Sequence, residues 1–128
     1  MNRTIWEFLA NGKEHVMRNW MHENKISVGE RAKLDHALHR LRTLDRELLS
    51  HKLLAPLGDR ILKLRLRCEN RELRPMLCRG PVGDPLDYTL LLGAMEVGDR
   101  LVPHDAKAQA DANRIVLTKD HPTWRQIF

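Results

Sequence analysis

The chain has 128 residues, of which 42% are apolar and only 5% aromatic, with a formal net charge of +5 and a pI near 9.6. This length fits one ordinary domain, whose core must be built mainly from aliphatic side chains. The charge excludes a strongly acidic protein and favours an anionic partner, such as nucleic acid, an acidic protein or an anionic membrane surface, with a merely basic soluble domain as the alternative of equal weight.

Targeting and metal signals are absent from the sequence. No apolar run approaches the roughly 20 residues that span a bilayer, and the start MNRTIWEFLANG lacks the apolar segment of a signal peptide. We therefore expect a cytoplasmic protein with no membrane partner. The two cysteines, Cys68 and Cys78, have no zinc-type spacing and imply no disulfide, and the seven histidines are scattered. We predict neither a metal site nor a cofactor.

The N-terminal segment predicts a strand followed by a helix. Residues 4–10 (TIWEFLA) combine β-branched, aromatic and aliphatic side chains in a short run that is typical of a strand. Asn11 and Glu14 have the spacing of a capping box, and apolar residues then recur at helical spacing. We therefore expect an amphipathic helix over residues 12–24.

A second helix follows closely. Ser27 and Glu30 form another capping-box pattern, and the next apolar residues mark one helical face: Leu34, Ala37, Leu38, Leu41, Leu44 and Leu48. The short link between the two helices predicts a helical hairpin. Basic residues that include Arg40, Arg42, Arg46 and Lys52 are mixed with acidic ones, so solvation is the favoured interpretation, and contact with RNA backbone is the alternative.

Residues 60–79, RILKLRLRCENRELRPMLCR, carry the most distinctive pattern. Leucines alternate with basic residues, which predicts a strand with a buried leucine face and an open face bearing Lys63, Arg65 and Arg67. A turn over residues 69–72 leads to a return strand, which Pro75 limits to an edge, a bulge or a short strand. The preceding residues 51–59 are predicted to be a connector.

The remaining segment predicts a central strand and a final helix. Residues 80–85 form a loop, and residues 88–95 are apolar throughout, typical of a strand buried on both faces, in which Gly93 indicates a bulge or a close backbone approach. Residues 105–117 are alanine-rich and should be helical, and the apolar residues of the tail should dock on the domain: Trp124, Ile127 and Phe128. The prediction is a single α+β domain over residues 1–128, in the order β-α-α-β-β-β-α, with a small antiparallel sheet, an N-terminal helical hairpin and a C-terminal helix.

This order, together with three segments of text, resembles the RelE/ParE/HigB toxin superfamily and most closely its HigB-like and phage Gp49-like branch. The segments are KLLAPLGDRILKLRLR, ELRPMLCR and TLLLGAMEVGDRLVPHDAKAQADANR, and the best single matches are Leu64-Arg65 and Leu73-Arg74. The resemblance implies a RelE-like fold and the toxin of a type II toxin–antitoxin pair. Many such toxins cleave mRNA on the ribosome, whereas the ParE group poisons DNA gyrase. The resemblance also implies a small, adjacently encoded antitoxin that neutralises the toxin.

Cleavage of this type, by attack of a ribose 2′-OH on the adjacent phosphate, needs a base, an acid and a group that stabilises the phosphorane-like charge. Arginine suits the last task, because its planar fork binds two phosphate oxygens. We predict catalytic roles for Arg65, Arg74, Lys63 and His104, and RNA-binding roles for Arg67, Arg79 and Tyr88. The alternatives are a solvated sheet face or a docking patch for an acidic antitoxin, and for Lys63, His104 and Tyr88 ordinary structural roles.

Two departures from the family pattern define the competing hypotheses. Acidic Glu96 and Asp99 stand where the family has a lysine pair, and the return strand lacks the usual aromatic residue after Arg74. The first hypothesis is an mRNA endonuclease that acts on the ribosome. The second is a catalytically silent module of the same fold that binds an antitoxin or nucleic acid, and the third is a gyrase poison.

Overall fold

The computed structural model describes residues 2–44, 52–69, 71–119 and 123–127, and in this part of the chain it has an α+β fold with three helices. The helices are α1 (Val16–Glu23), α2 (Val28–Thr43) and α3 (Ala106–Lys119). None of the described helices has the length and apolar character needed to cross a bilayer.

The strands form two sheets. In chain order they are β1 (Ile5–Ala10), β2 (Glu14–His15), β3 (Leu54–Gly58), β4 (Ile61–Leu64), β5 (Leu66–Arg67), β6 (Glu72–Leu73), β7 (Met76–Arg79), β8 (Tyr88–Leu92), β9 (Met95–Val97), β10 (Arg100–Val102) and β11 (Trp124–Gln126). The larger sheet has the order β11-β1-β8-β7-β4-β3, with β2 beside β1, and the smaller one has the order β10-β9-β6-β5. Because β1 and β8 run parallel while the other pairs are antiparallel, the sheet is mixed, not purely antiparallel as predicted.

The predicted first strand is confirmed, but the predicted N-terminal helix starts late. Asn11 and Gly12 adopt positive φ values of 55° and 71° and turn the chain back as β2, so the predicted capping box at Asn11 does not form. The helical hairpin therefore follows two strands and is not at the N-terminus. The second capping box is confirmed, since the Ser27 hydroxyl accepts from the Glu30 amide at 3.1 Å. Leu48 lies outside the described residues.

The central basic segment is divided between the two sheets. Leu62, Leu64 and Leu66 are buried as predicted, but β4 belongs to the large sheet and β5 to the small one. Pro75 separates β6 from β7, which confirms that it shortens the return strand. The prediction of a connector over residues 51–59 is wrong, because Leu54–Gly58 form strand β3, which pairs with β4 at the edge of the large sheet. Residue 51 lies outside the described residues.

The central strand is confirmed over Tyr88–Leu92, whereas Met95 belongs to β9 in the smaller sheet, and the final helix is confirmed as α3. All residues of β8 are buried, and the Trp20 ring covers Gly93 so closely that a Cβ atom there would lie 2.0 Å from Trp20 Cδ2. The alanine-rich helix buries Ala106, Ala110 and Leu117. The tail docks through β11, with Ile127 packed on the core, while Phe128 lies outside the described residues.

The core lies on both faces of the large sheet. Side chains of α1 and α2 pack with Leu62, Leu77 and Leu90 on one face, whereas α3 packs on the opposite face, formed by neighbouring residues of the same strands. The large sheet is thus covered by α1 and α2 on one face and by α3 on the other. A RelE-like topology at the level of strand order stays a prediction.

Candidate nucleic-acid interface

A groove with basic walls lies between α2 and β5. We call it the basic groove, and its charged or titratable lining residues are Lys33, His36, Arg40, Lys52, Arg65 and Arg67, together with Glu72 and Arg74. It consists of two adjoining open pockets of about 390 Å³ and about 470 Å³ that share Arg65 and Arg67. The floor of the first pocket is apolar and includes Ala37, Leu53 and Leu66. The groove therefore combines positive walls with an apolar base.

Local structure explains why the basic side chains meet there. On α2, Lys33, His36 and Arg40 are spaced by three and four residues and so lie on one side of the helix. On the strand side, Arg65 and Arg67 flank Leu66, which is 4% exposed. Since alternate strand residues point to opposite faces, burial of the leucine directs both arginines outward.

Two arginines of the groove, Arg65 and Arg67, retain free charge. The guanidinium of Arg65 is exposed and forms no hydrogen bond or ion pair with any described residue. Arg67 has a 90% exposed side chain, and Glu72 approaches its Nε only to 3.9 Å. The ammonium group of Lys33 donates to the backbone carbonyl of Arg67 and so ties α2 to β5. Both guanidinium groups are thus available to an anion.

Arg74 and Lys63 have a different environment, which we call the ion-pair cluster: Lys63, Glu72, Arg74 and Glu96. Glu72 and Glu96 are directly opposite each other on β6 and β9. Arg74, only 2% exposed, places Nη2 at 3.1 Å from Glu72 Oε2 and 3.4 Å from Glu96 Oε2. Lys63 Nζ lies 3.6 Å from Glu96 Oε1. Two of the predicted catalytic cations are thus each paired with carboxylates.

The electrostatics of Glu96 reflect this pairing. Burial alone would raise the pKa of its carboxyl group, but the hydrogen bond from Arg74 and the charges of Arg74, Lys63 and Arg65 outweigh burial, so the pKa is lowered. The glutamate therefore stays ionised at neutral pH and continues to neutralise its partners. At this position, where the resemblance predicts lysine, Glu96 instead places a negative charge beside Arg74.

Arg79 and Tyr88 lie away from the groove. They are cross-strand partners on β7 and β8, where Arg79 Nη1 donates to Tyr88 Oη at 2.9 Å and its guanidinium carbon lies 4.4 Å from the ring centroid. Tyr88 is 0% exposed, so stacking of an RNA base on its ring, as predicted, is incompatible with this packing. Arg74 lines the basic groove whereas Arg79 lines neither of its pockets, so these arginines do not converge on one site.

His104 is also separate from the groove. It is exposed in the turn between β10 and α3, and its ring forms no hydrogen bond or ion pair with any described residue. Neither pocket of the basic groove includes it among its lining residues. Of the predicted site residues, the structure thus brings together Lys63, Arg65, Arg67 and Arg74, and leaves out His104, Arg79 and Tyr88.

Sequence reasoning missed the contribution of the second helix. Lys33 and His36 were not among the predicted residues, and solvation was favoured for Arg40 and Lys52. The helical spacing that groups Lys33, His36 and Arg40 was a usable signal, but the side of α2 that meets the strand depends on packing. Another missed feature is Glu7, a 5% exposed carboxylate between His15 and Arg125.

Within the described ranges, no three His, Cys, Asp or Glu side chains are grouped in a way that could hold a metal ion. Comparisons of the chain with protein-family models, with curated proteins and with solved structures find no match. The resemblance to the RelE/ParE/HigB superfamily therefore stays a hypothesis drawn from the sequence.

Proposed function

We propose that this protein binds single-stranded RNA through the basic groove, as a binding module and not primarily as a nuclease. The observation that carries the proposal is the convergence of α2 and β5 on one groove with two unpaired or weakly paired guanidinium groups. Guanidinium groups bind phosphate oxygens through paired hydrogen bonds, and positive grooves follow a nucleic-acid backbone. A cytoplasmic location remains part of this proposal.

The shape and lining of the groove favour a single strand over a duplex. The apolar floor at Leu53 and Leu66 suits an unstacked base, and the His36 ring at the wall offers a surface for stacking. The sequence resemblance favours RNA over DNA. An acidic protein would use the same charges but would have no need of a base-sized apolar floor.

The ion-pair cluster is the reason for placing binding before cleavage. A group that stabilises a phosphorane-like transition state must direct free positive charge at the phosphate. Arg74 directs its Nη2 at Glu72 and Glu96, and Lys63 is paired with Glu96. These cations would have to exchange carboxylates for phosphate before they could act.

Binding can be measured by fluorescence anisotropy of a labelled oligouridine of about 12 nucleotides, a length within the usual range of a single-strand site. With the cations Lys33, Arg40, Lys52, Arg65 and Arg67 in contact, log Kd should rise with log salt concentration with a slope of about 3 to 4. Arg65→Ala/Arg67→Ala should weaken binding at least about tenfold and reduce the slope by about 1.4, two phosphate contacts being lost.

The matched control is Arg60→Ala, which removes an exposed guanidinium in the turn between β3 and β4, outside the groove. It should change Kd less than about twofold. Equal losses for the control and the groove variant would show non-specific attraction and refute the proposed site. Binding of polyglutamate in preference to oligouridine would instead identify an acidic protein partner.

A second candidate is the ribosome-dependent mRNA endonuclease of a toxin–antitoxin pair, with a small antitoxin as partner. It is favoured by the charge of Arg65, which is close enough to Glu96 to contribute to its lowered pKa and so lies beside Lys63 and Arg74. Induced expression should then arrest growth and create new mRNA 5′ ends, and Arg65→Ala should abolish both. DNA-damage signalling without mRNA loss would identify the gyrase-poison alternative.

A further inference from the structure

A second cavity, separate from the basic groove, opens between the α1–α2 pair and the large sheet. Its volume is about 430 Å³, within the usual range for small-molecule sites. The apolar part of the lining comprises Met17, Met21, Leu34, Leu38, Leu90 and Ile127. The polar part consists of Glu7, Arg18, Arg31, Asp35, Arg125 and Gln126. The cavity shares no lining residue with the basic groove.

Glu7 is an unusual residue for its position. It lies on β1, paired with Leu90 on one side and Arg125 on the other, and it is 5% exposed. Its Oε1 atom accepts hydrogen bonds from His15 Nδ1 and Arg125 Nε, each at 2.7 Å. A buried carboxylate on a sheet face that is otherwise apolar lowers stability unless its oxygens are satisfied.

The second carboxylate oxygen of Glu7 is an unused acceptor on a residue that lines the cavity. Oε2 makes no hydrogen bond with any described residue, although Glu7 lines the cavity. Arg18, on the α1 side of the same cavity, has an exposed guanidinium with no hydrogen bond or ion pair to a described residue. A mostly buried acceptor and a cationic donor group, both unused, thus line the same cavity, and half of its lining residues are apolar.

The charge pattern selects the chemistry of a ligand. Arg31 is paired with Asp35 at 3.1 Å, and Arg125 is paired with Glu7 Oε1 at 2.7 Å. An amine alone would bind Glu7 but would be repelled by Arg18, and an anion alone would bind Arg18 but would be repelled by Glu7. A zwitterion satisfies both, since an ammonium group donates to a carboxylate and a carboxylate accepts from a guanidinium fork. The methionines, which adapt to irregular shapes, and the leucines would hold an apolar side chain.

We propose that this cavity is a binding site for a free α-amino acid with an apolar side chain, whose ammonium group binds Glu7 Oε2 and whose carboxylate binds Arg18. The site does not depend on the proposed RNA-binding function. Its occupant is anchored at both charged ends, and its side chain is directed at Met17, Leu34 and Leu38.

Isothermal titration calorimetry on the full chain tests the proposal with L-leucine, L-methionine and L-phenylalanine as probes. At least one should bind with a Kd below about 1 mM. N-acetyl-L-leucine lacks the ammonium group and L-leucinamide lacks the carboxylate, so each should bind about tenfold or more weakly than L-leucine. Absence of heat for all three amino acids at about 10 mM overturns the proposal.

Variants separate the site from folding effects. Arg18→Ala changes an exposed side chain and should weaken binding about tenfold, and Glu7→Gln should do the same if its melting curve shows that it folds. Arg65→Ala/Arg67→Ala should leave amino-acid affinity unchanged, which distinguishes this site from the RNA groove. An Arg18→Ala protein with unchanged affinity, or blocked analogues that bind as well as L-leucine, would refute the assignment.

Discussion

The ion-pair cluster makes a quantitative prediction about stability. Glu72→Gln and Glu96→Gln each remove one carboxylate from Arg74 and leave the other in place. In each single variant the lost charge-assisted hydrogen bond is partly offset, because two like charges directly opposite each other on paired strands no longer repel. We therefore expect each single substitution to lower the free energy of unfolding by about 1 kcal/mol.

The double variant should lose more stability than the sum of the losses in the two single variants. Arg74 is 2% exposed in the parent protein, and replacement of both glutamates leaves it without a carboxylate partner among the described residues. Removal of the partners of a buried charge costs about 3 to 5 kcal/mol, so the coupling energy between the two sites should be about 1 to 3 kcal/mol.

Urea denaturation followed by circular dichroism at pH 7 measures all four members of this cycle. The control is the triple variant Arg74→Met with both glutamines, which removes the buried Arg74 charge and leaves only the partly exposed Lys63 without its carboxylate. Its stability should lie within about 1 kcal/mol of the parent protein. Additive losses in the double variant, or a triple variant as unstable as the double, would show that Arg74 is not held by the two glutamates.

Other predictions follow from neighbouring features. Gly93→Ala should lower stability by about 1 to 3 kcal/mol and shift tryptophan emission, because Trp20 must move, whereas Gly29→Ala, with its nearest neighbour at 4.0 Å, should not destabilise the protein. The bidentate hydrogen bonds from Arg71 lower the pKa of Glu30 to about 2, below its unfolded value of 4.5, so this pair stabilises the fold above pH 4.5 and is lost between pH 4.5 and 2. Arg71→Gln should lower the free energy of unfolding at pH 7 by about 1 kcal/mol. It should also make the fall in this free energy between pH 4.5 and 2 less steep, as measured by urea denaturation at each pH. Glu96→Gln should raise RNA affinity, measured by anisotropy, about two- to fivefold, because it removes the carboxylate that is paired with the Lys63 ammonium group.

Local pattern predicted most of the elements. The alternation of leucine with basic residues placed Arg65 and Arg67 on an open face, because strand periodicity depends only on neighbouring residues. The Ser27 capping box and the buried β8 strand were predicted for the same reason. The Asn11 capping box failed because a positive-φ turn competes with a helix start for the same short polar residues, and the pairing of β2 with β1 favours the turn.

The sequence by itself determined the basic charge, the leucine core and the outward direction of the arginines between the leucines. Only the tertiary structure decided which of these charges remain free. Arg65 and Arg74 look alike in the sequence, but the pairing of β6 with β9 brings two carboxylates into ion pairs with Arg74, whereas no described carboxylate forms an ion pair with Arg65. Burial and ion pairing depend on residues that are distant in the chain, so the same residue type is available to a ligand at one position and neutralised at the other.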